Sequence, residues 1–164
     1  MGREDFIAVF GHIYEKSPWI VEQAWDQGLA STEDSPEGLY RTLVAIVEEA
    51  GPELQIRLLR AHPDLTGKLG VGGVLTVESR SEQAGAGLDQ CTKAEYAEFQ
   101  SLNQSYTQQF GFPFILAVRG RNRQQVLENF RKRIDSDRDD EFAEALRQVH
   151  RIAWLRLQEI ECYN

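Results

Sequence analysis

EFAEALRQVHRIAWLRLQEI, residues 141–160, decides the fold. Phe142, Leu146, Val149, Ala153 and Ile160 recur at helical spacing and form one apolar stripe, so the segment predicts a long amphipathic helix. At about 100° per residue, Arg156 falls inside that stripe, roughly 40° from Phe142. A guanidinium does not give up its charge and is costly to desolvate, so a buried Arg156 needs an anion opposite it. That anion is either a ligand group or a Glu or Asp of a neighbouring helix.

Working outward, helix signals dominate. Phe6, Val9, Phe10, Ile13 and Tyr14 mark one face of a first helix. Ser17-Pro18 offers an N-cap followed by a proline at the first helical position, and opens a second helix through Trp19, Ile20, Ala24 and Trp25 to Gly28. Ser35-Pro36 repeats the device for a third helix through Leu39, Leu43, Ile46 and Val47, closed by Gly51. A short fourth helix from Pro52 to Ala61 must stop near His62, because Pro63 disfavours helical geometry in the residue before it. Val77 to Leu88 is helical, weakened at its end by Gly85 and Gly87. Thr92 with Glu95, and Asn122 with Gln125, are reciprocal capping boxes. They open helices that carry Phe99, Tyr106 and Phe110, and then Val126, Phe130 and Ile134. Asp139 and Asp140 suit the start of the last helix.

Two stretches break the pattern. PDLTGKLGVGGVLT (63–76) is a long, aperiodic, glycine-rich loop, and loops of this length in compact domains are often functional. FGFPFILAVRG (110–120) is apolar and β-leaning from Phe112 to Val118, between two glycines. A lone strand has nothing in this sequence to pair with, so an extended segment threaded through an all-α domain is expected. Its backbone N–H and C=O groups then need partners outside a ladder, and a polar ligand can supply some of them.

The chain has 164 residues, 41% hydrophobic and 27% charged, with a net charge of −8. It reads as one soluble globular domain spanning residues 1–164. The negative charge argues against nucleic acid and anionic membranes as partners, while a local Arg/His cluster still allows an anionic small molecule. No apolar run approaches a spanning helix, and the acidic, amphipathic N-terminus is unlike a secretory signal. Cys91 and Cys162, without CxxC spacing, imply neither a metal knuckle nor a disulfide framework, which suits a reducing, cytoplasmic setting. His12 and His150 lack a metal-ligand partner at i+4, and GKLGVGG lacks the order of a phosphate loop.

Three polar intrusions into apolar patterns are the candidates for chemistry. His62 sits where a helix ends and the glycine-rich loop begins. It is suited to general acid–base work, or simply to capping the helix carbonyls. Ser79, Glu82 and Gln83 stand at i, i+3 and i+4, so one helical face offers a hydroxyl, a carboxylate and an amide. They could read a planar polar ring, or form a solvated face with Ser79 as an N-cap. Arg156 is the third.

AHPDLTGK (61–68), LTVESRSEQAGAGL (75–88) and FGFPFILAVRG (110–120) together resemble the signatures of the 2-oxo-4-hydroxy-4-carboxy-5-ureidoimidazoline (OHCU) decarboxylases, enzymes of urate breakdown. FGHIYEKSPWIVEQAW (10–25) and RIAWLRL (151–157) also resemble that family, so the likeness runs over nearly the whole chain in order. It implies an all-α enzyme that works without a cofactor or metal and is typically a homodimer. Carried over residue by residue, it makes His62 and Glu82 catalytic. It makes Pro63, Ser79, Gln83, Arg156 and the backbone of Phe114, Ile115, Leu116 and Ala117 substrate-binding.

The implied reaction removes CO2 from a ring carbon that also bears a hydroxyl and adjoins a C=N bond. The released electron pair enters that C=N, so the substrate is its own electron sink. His62 would hydrogen-bond to or deprotonate the hydroxyl, and Glu82 would orient His62 or the ring N–H groups. Arg156 would pair with anionic or carbonyl oxygens, and Ser79 and Gln83 would fix the ureido arm. Protonation of one face of the planar intermediate would give (S)-allantoin. Rival expectations are a lyase for a related ureido or imidazole acid and a non-catalytic helical binding or interaction module. A helical nucleic-acid binder is the most remote, given the charge.

Overall fold

The structure, a computed structural model, describes residues 1–29, 34–66 and 75–160. Among the described residues there are eight α-helices and no strand, which bears out the all-α expectation. They are α1 (Arg3–Phe10), α2 (Trp19–Asp26), α3 (Pro36–Glu49), α4 (Pro52–Arg60), α5 (Val77–Gly85), α6 (Lys93–Phe110), α7 (Arg123–Arg133) and α8 (Arg138–Gln158). The chain divides into two compact units, Met1–Leu58 with Val149–Asn164, and Leu59–Gln148. Most of the 63–76 loop, residues 67–74, lies outside the described residues, as does Cys162.

In the first unit α1 packs on α2 and α2 on α3. Phe6, Phe10, Ile20, Val21, Leu39, Leu43 and Val47 are buried, and each such side chain contributes roughly 1.5–3 kcal/mol. The ring of Phe6 lies 5.3 Å from that of Trp25, and Tyr40 lies 5.1 Å from Trp154. Ser35 caps α3 as expected, its hydroxyl accepting from Gly38 N at 3.1 Å with Pro36 at the first position. Two expectations fail here. The first helix stops at Phe10, where a Cβ on the closing Gly11 would sit 2.5 Å from Ile7 O, so only glycine fits. Ile13 and Tyr14 are buried beyond the helix rather than on it. Ser17 does not cap α2 either, because its hydroxyl donates back to Glu15 O at 2.9 Å and α2 starts at Trp19.

The second unit is built around Tyr106. Its ring meets those of Phe110, Phe112, Phe114 and Phe130 at 4.5–5.9 Å. Phe114 and Phe130 stack face to face at 3.9 Å. Both capping boxes form: Thr92 with Glu95 opens α6 and Asn122 with Gln125 opens α7. Gly85 and Gly87 end α5 early. Gly87 turns left-handed at φ 75°, and a single 3₁₀ turn at Leu88–Gln90 follows. Thr76, not Ser79, caps α5, accepting from Ser79 N at 3.2 Å. Ser79 therefore lies inside the helix with its side chain buried.

Candidate active site

Gly111 ends α6 in the left-handed region, φ 81°, where a side chain would be strained. Phe112 to Val118 then runs without helix or strand, and every residue of it is buried. Arg60, the last residue of α4, donates from Nε to Gly111 O at 2.8 Å. That bond ties the helix end next to His62 to the start of the FGFPF segment.

His62 itself is 5% exposed, and its backbone N–H still reaches Leu59 O at 3.2 Å. Pro63 is buried beside it. The residues that follow are clamped by side chains from two helices. Gln83 of α5 accepts from Thr66 N at 3.1 Å and donates to Asp64 O at 3.4 Å. Asn103 of α6 donates to Leu65 O at 2.8 Å, and Gln100 donates to Thr66 O at 3.4 Å. Burial pushes the Asp64 carboxyl above its usual range.

Gln83 was expected to face substrate, and its amide already holds the loop that carries His62. One of its N–H groups and one lone pair remain for a ligand. On the same α5 face Ser79 is buried and Glu82 is half-buried. The structure thus joins the His62 loop to the Ser79/Glu82/Gln83 face through Gln83. Asn103 and Gln100 were missed by the sequence reading. Asn103 alone left a signal, a polar residue four positions after the buried Phe99 and three before the buried Tyr106.

The backbone of Phe114–Ala117 is partly held by protein. Arg133 Nη1 donates to Ile115 O at 2.6 Å. Ala117 N–H donates to Gln148 Oε1 at 3.0 Å, and Arg121 Nε donates to Ala117 O at 3.3 Å. Among the described residues no protein group bonds the amides of Ile115 and Leu116 or the carbonyls of Phe114 and Leu116. Unpaired buried backbone groups are rare and costly, so these mark places for a polar ligand or water.

Arg133 was also missed. Its Nε and Nη2 form a fork on Glu141 at 2.9 and 3.0 Å, and its guanidinium carbon lies 4.4 Å from the centre of the Phe114 ring. Tyr106 donates its hydroxyl to the same Glu141. Burial first, and then Glu141, push the Tyr106 hydroxyl above its ordinary range, so it stays a donor. Arg133 stands seven residues after Val126 and three after Phe130, and so breaks an apolar stripe by the same rule that flagged Arg156.

Arg156 belongs to the first unit and is 3% exposed. Its Nη2 meets Glu15 Oε2 at 2.8 Å and its Nη1 meets His12 O at 3.2 Å. The neighbouring-helix carboxylate anticipated as one of its two partners is in fact supplied by Glu15, beyond the end of α1. The first unit also holds a hydrogen-bonded chain, running from the buried Tyr14 and His150 to the exposed Glu48, that the sequence did not suggest. Tyr14 OH lies 2.9 Å from His150 Nδ1, and His150 Nε2 lies 2.9 Å from Glu48 Oε1. Burial lowers the His150 pKa against the pull of Glu48. Among the described residues no three of His, Cys, Asp and Glu converge as metal ligands would. Cys91 is no poised thiolate, because burial and Glu95 push its thiol up.

The buried histidine, the polar α5 face and the bare stretch of backbone give this all-helical chain a site suited to a small polar ligand. The sequence profile of the OHCU decarboxylases matches residues 1–158, and the chain belongs to that family. It is 41% identical over 158 residues to the 2-oxo-4-hydroxy-4-carboxy-5-ureidoimidazoline decarboxylase of Halalkalicoccus jeotgali, covering 96% of this chain and 86% of that one. The Mus musculus protein of the same name is 35% identical, over 95% of this chain and 86% of its own. A crystal structure of (S)-allantoin synthase superposes with a TM-score of 0.76 at 32% identity. That match covers 96% of this chain and 50% of the solved one, so the present chain spans half of that protein. A crystal structure of OHCU decarboxylase in the presence of (S)-allantoin, 18% identical with a TM-score of 0.70, shares the fold and covers 97% of both chains.

Proposed function

We propose that this protein decarboxylates 2-oxo-4-hydroxy-4-carboxy-5-ureidoimidazoline to (S)-allantoin in urate degradation. Membership of the family supports the reaction. The observation that carries the site is the buried Phe114–Leu116 backbone, where among the described residues the amides of Ile115 and Leu116 and the carbonyls of Phe114 and Leu116 are bare and suit a ligand rich in N–H and C=O groups.

In this reading His62 acts on the ring hydroxyl as the carboxylate leaves. The breaking C–C bond delivers its electron pair into the adjoining C=N, and a proton added to the ring carbon completes the product. Glu82, half-buried on the α5 face, orients His62 or accepts from ring N–H groups. Pro63 fixes the backbone after His62 and packs against the ring. Ser79 and the unused half of the Gln83 amide bind the ureido arm. Arg156, steadied by Glu15, keeps its proposed role as a cation for an anionic or carbonyl oxygen. The profile runs without a break through both units, which supports reading the chain as a single functional domain. On the family likeness, the protein works as a homodimer in the cytoplasm. Among the described residues no helix is long and apolar enough to cross a membrane.

The test is optical. Substrate generated from urate by urate oxidase and hydroxyisourate hydrolase should decay faster with this protein, with a circular dichroism signal for one allantoin enantiomer. His62→Asn should keep the fold and lose on the order of 10²–10⁴-fold in rate, the usual scale of a general acid–base group. Decay at the spontaneous rate to racemic product with the unaltered protein would sink the reading in favour of a binding module.

A further inference from the structure

Peptide planes transmit direction. In a trans peptide the C=O of one residue and the N–H of the next point opposite ways, and no cis peptide occurs among the described residues. Arg133 grips Ile115 O, so the Leu116 N–H in the same plane points away from the guanidinium. Gln148 grips the Ala117 N–H, so the Leu116 C=O points away from Gln148. The two groups aimed away from their grips are a donor and an acceptor on one residue. Both are bare among the described residues. A neighbouring N–H and C=O on a ligand, the edge of a ureide or ring lactam, matches such a pair.

The grips are themselves held. Glu141 locks the Arg133 fork, and the bond from Tyr106 locks Glu141. Gln148 donates from Nε2 to Glu144 Oε1 at 2.8 Å. Because a carboxylate only accepts, that bond settles which end of the Gln148 amide faces Ala117. Glu141, Glu144 and Gln148 stand at i, i+3 and i+7, so one face of α8 governs both planes. None of these side chains needs to touch substrate to do this.

We propose that Arg133 and Gln148 are positioning residues that turn the Leu116 N–H and C=O toward the ureide or lactam edge of the substrate. The inference rests on the decarboxylase reading given above. It assigns substrate recognition to α7 and α8 side chains that act only through the backbone they hold.

Gln148→Leu is the sharper test, because it removes one grip and leaves the buried Arg133–Glu141 pair intact. Loss of one aligned hydrogen bond is expected to raise KM about tenfold. Expected with it are a kcat within threefold of the original, a melting temperature lowered by a few degrees because the buried Ala117 N–H loses its acceptor, and a reduced enantiomeric excess of the allantoin formed. Arg133→Lys should raise KM at least as much and also lower the melting temperature. Arg131→Gln, at an exposed position on the same helix, should leave the kinetics unchanged. A merely structural role would lower the active fraction, and so kcat, at constant KM and enantiomeric excess. A folded Gln148→Leu enzyme with unaltered KM and enantiomeric excess overturns the inference alone. An unaltered protein that neither turns over substrate nor shifts its Leu116 amide resonance with (S)-allantoin overturns the decarboxylase reading, and this inference with it.

Discussion

Two buried arginines, one in each unit, meet their carboxylates in different ways. Arg133 puts a two-point fork on Glu141, adds a carbonyl at Ile115, covers the Phe114 ring and shares its carboxylate with Tyr106. Arg156 reaches Glu15 with one nitrogen and His12 O with another. A two-point fork fixes the guanidinium plane on its carboxylate. The first arrangement suits a fixed frame for backbone.

Removing each arginine should measure what its buried carboxylate pair contributes. Arg133→Ala strands Glu141 and is expected to cost about 3–5 kcal/mol, the range for breaking a buried pair. Arg156→Ala uncovers Glu15, whose side chain is fully buried, and is expected to cost an amount in the same range, about 3–5 kcal/mol. Urea denaturation of both variants checks this, and a loss below about 1 kcal/mol in either would remove that pair as a buried anchor. Tyr106→Phe sharpens it by deleting only the third member of the Arg133 cluster. About 1–2 kcal/mol should be lost, since a buried carboxylate gives up one donor.

The smallest effect is a dependence on pH that belongs to the first unit. Burial holds the folded His150 below its usual 6.5, so between the two pKa values the unfolded chain binds more protons than the folded one. Stability contributed by neutral His150 is full above pH 6.5 and is lost as pH falls from there toward the folded value. The slope cannot exceed about 1.4 kcal/mol per pH unit for one group. His150→Gln should flatten that part of the stability profile, and an unchanged profile would remove His150 as its source.

The helices and their caps were largely legible because they depend on residues three or four apart. Ser35, Thr92 and Asn122 behave as their local sequence says. Ser17 does not, since its hydroxyl found a closer acceptor in Glu15 O. Arg156 could be flagged from its place on an apolar stripe, but its partner Glu15, 141 residues away, could not. Arg133 was equally open to flagging and was hidden by reading that helix through Ile134. The Tyr14–His150–Glu48 chain left no local trace, because its links span 136 and 102 residues. At the candidate site His62 and the α5 face were legible as interruptions of pattern. The choice of which backbone groups of 114–117 stay bare was not, because it depends on Arg133, Gln148 and Arg121 arriving from later in the chain.

The ring pairs Phe6–Trp25 and Tyr40–Trp154 carry an optical consequence. All three tryptophans, Trp19, Trp25 and Trp154, lie in the first unit, and the Leu59–Gln148 unit contains none. Intrinsic tryptophan emission from this protein is therefore a local gauge. It reports the surroundings of Trp19, Trp25 and Trp154 within the first unit.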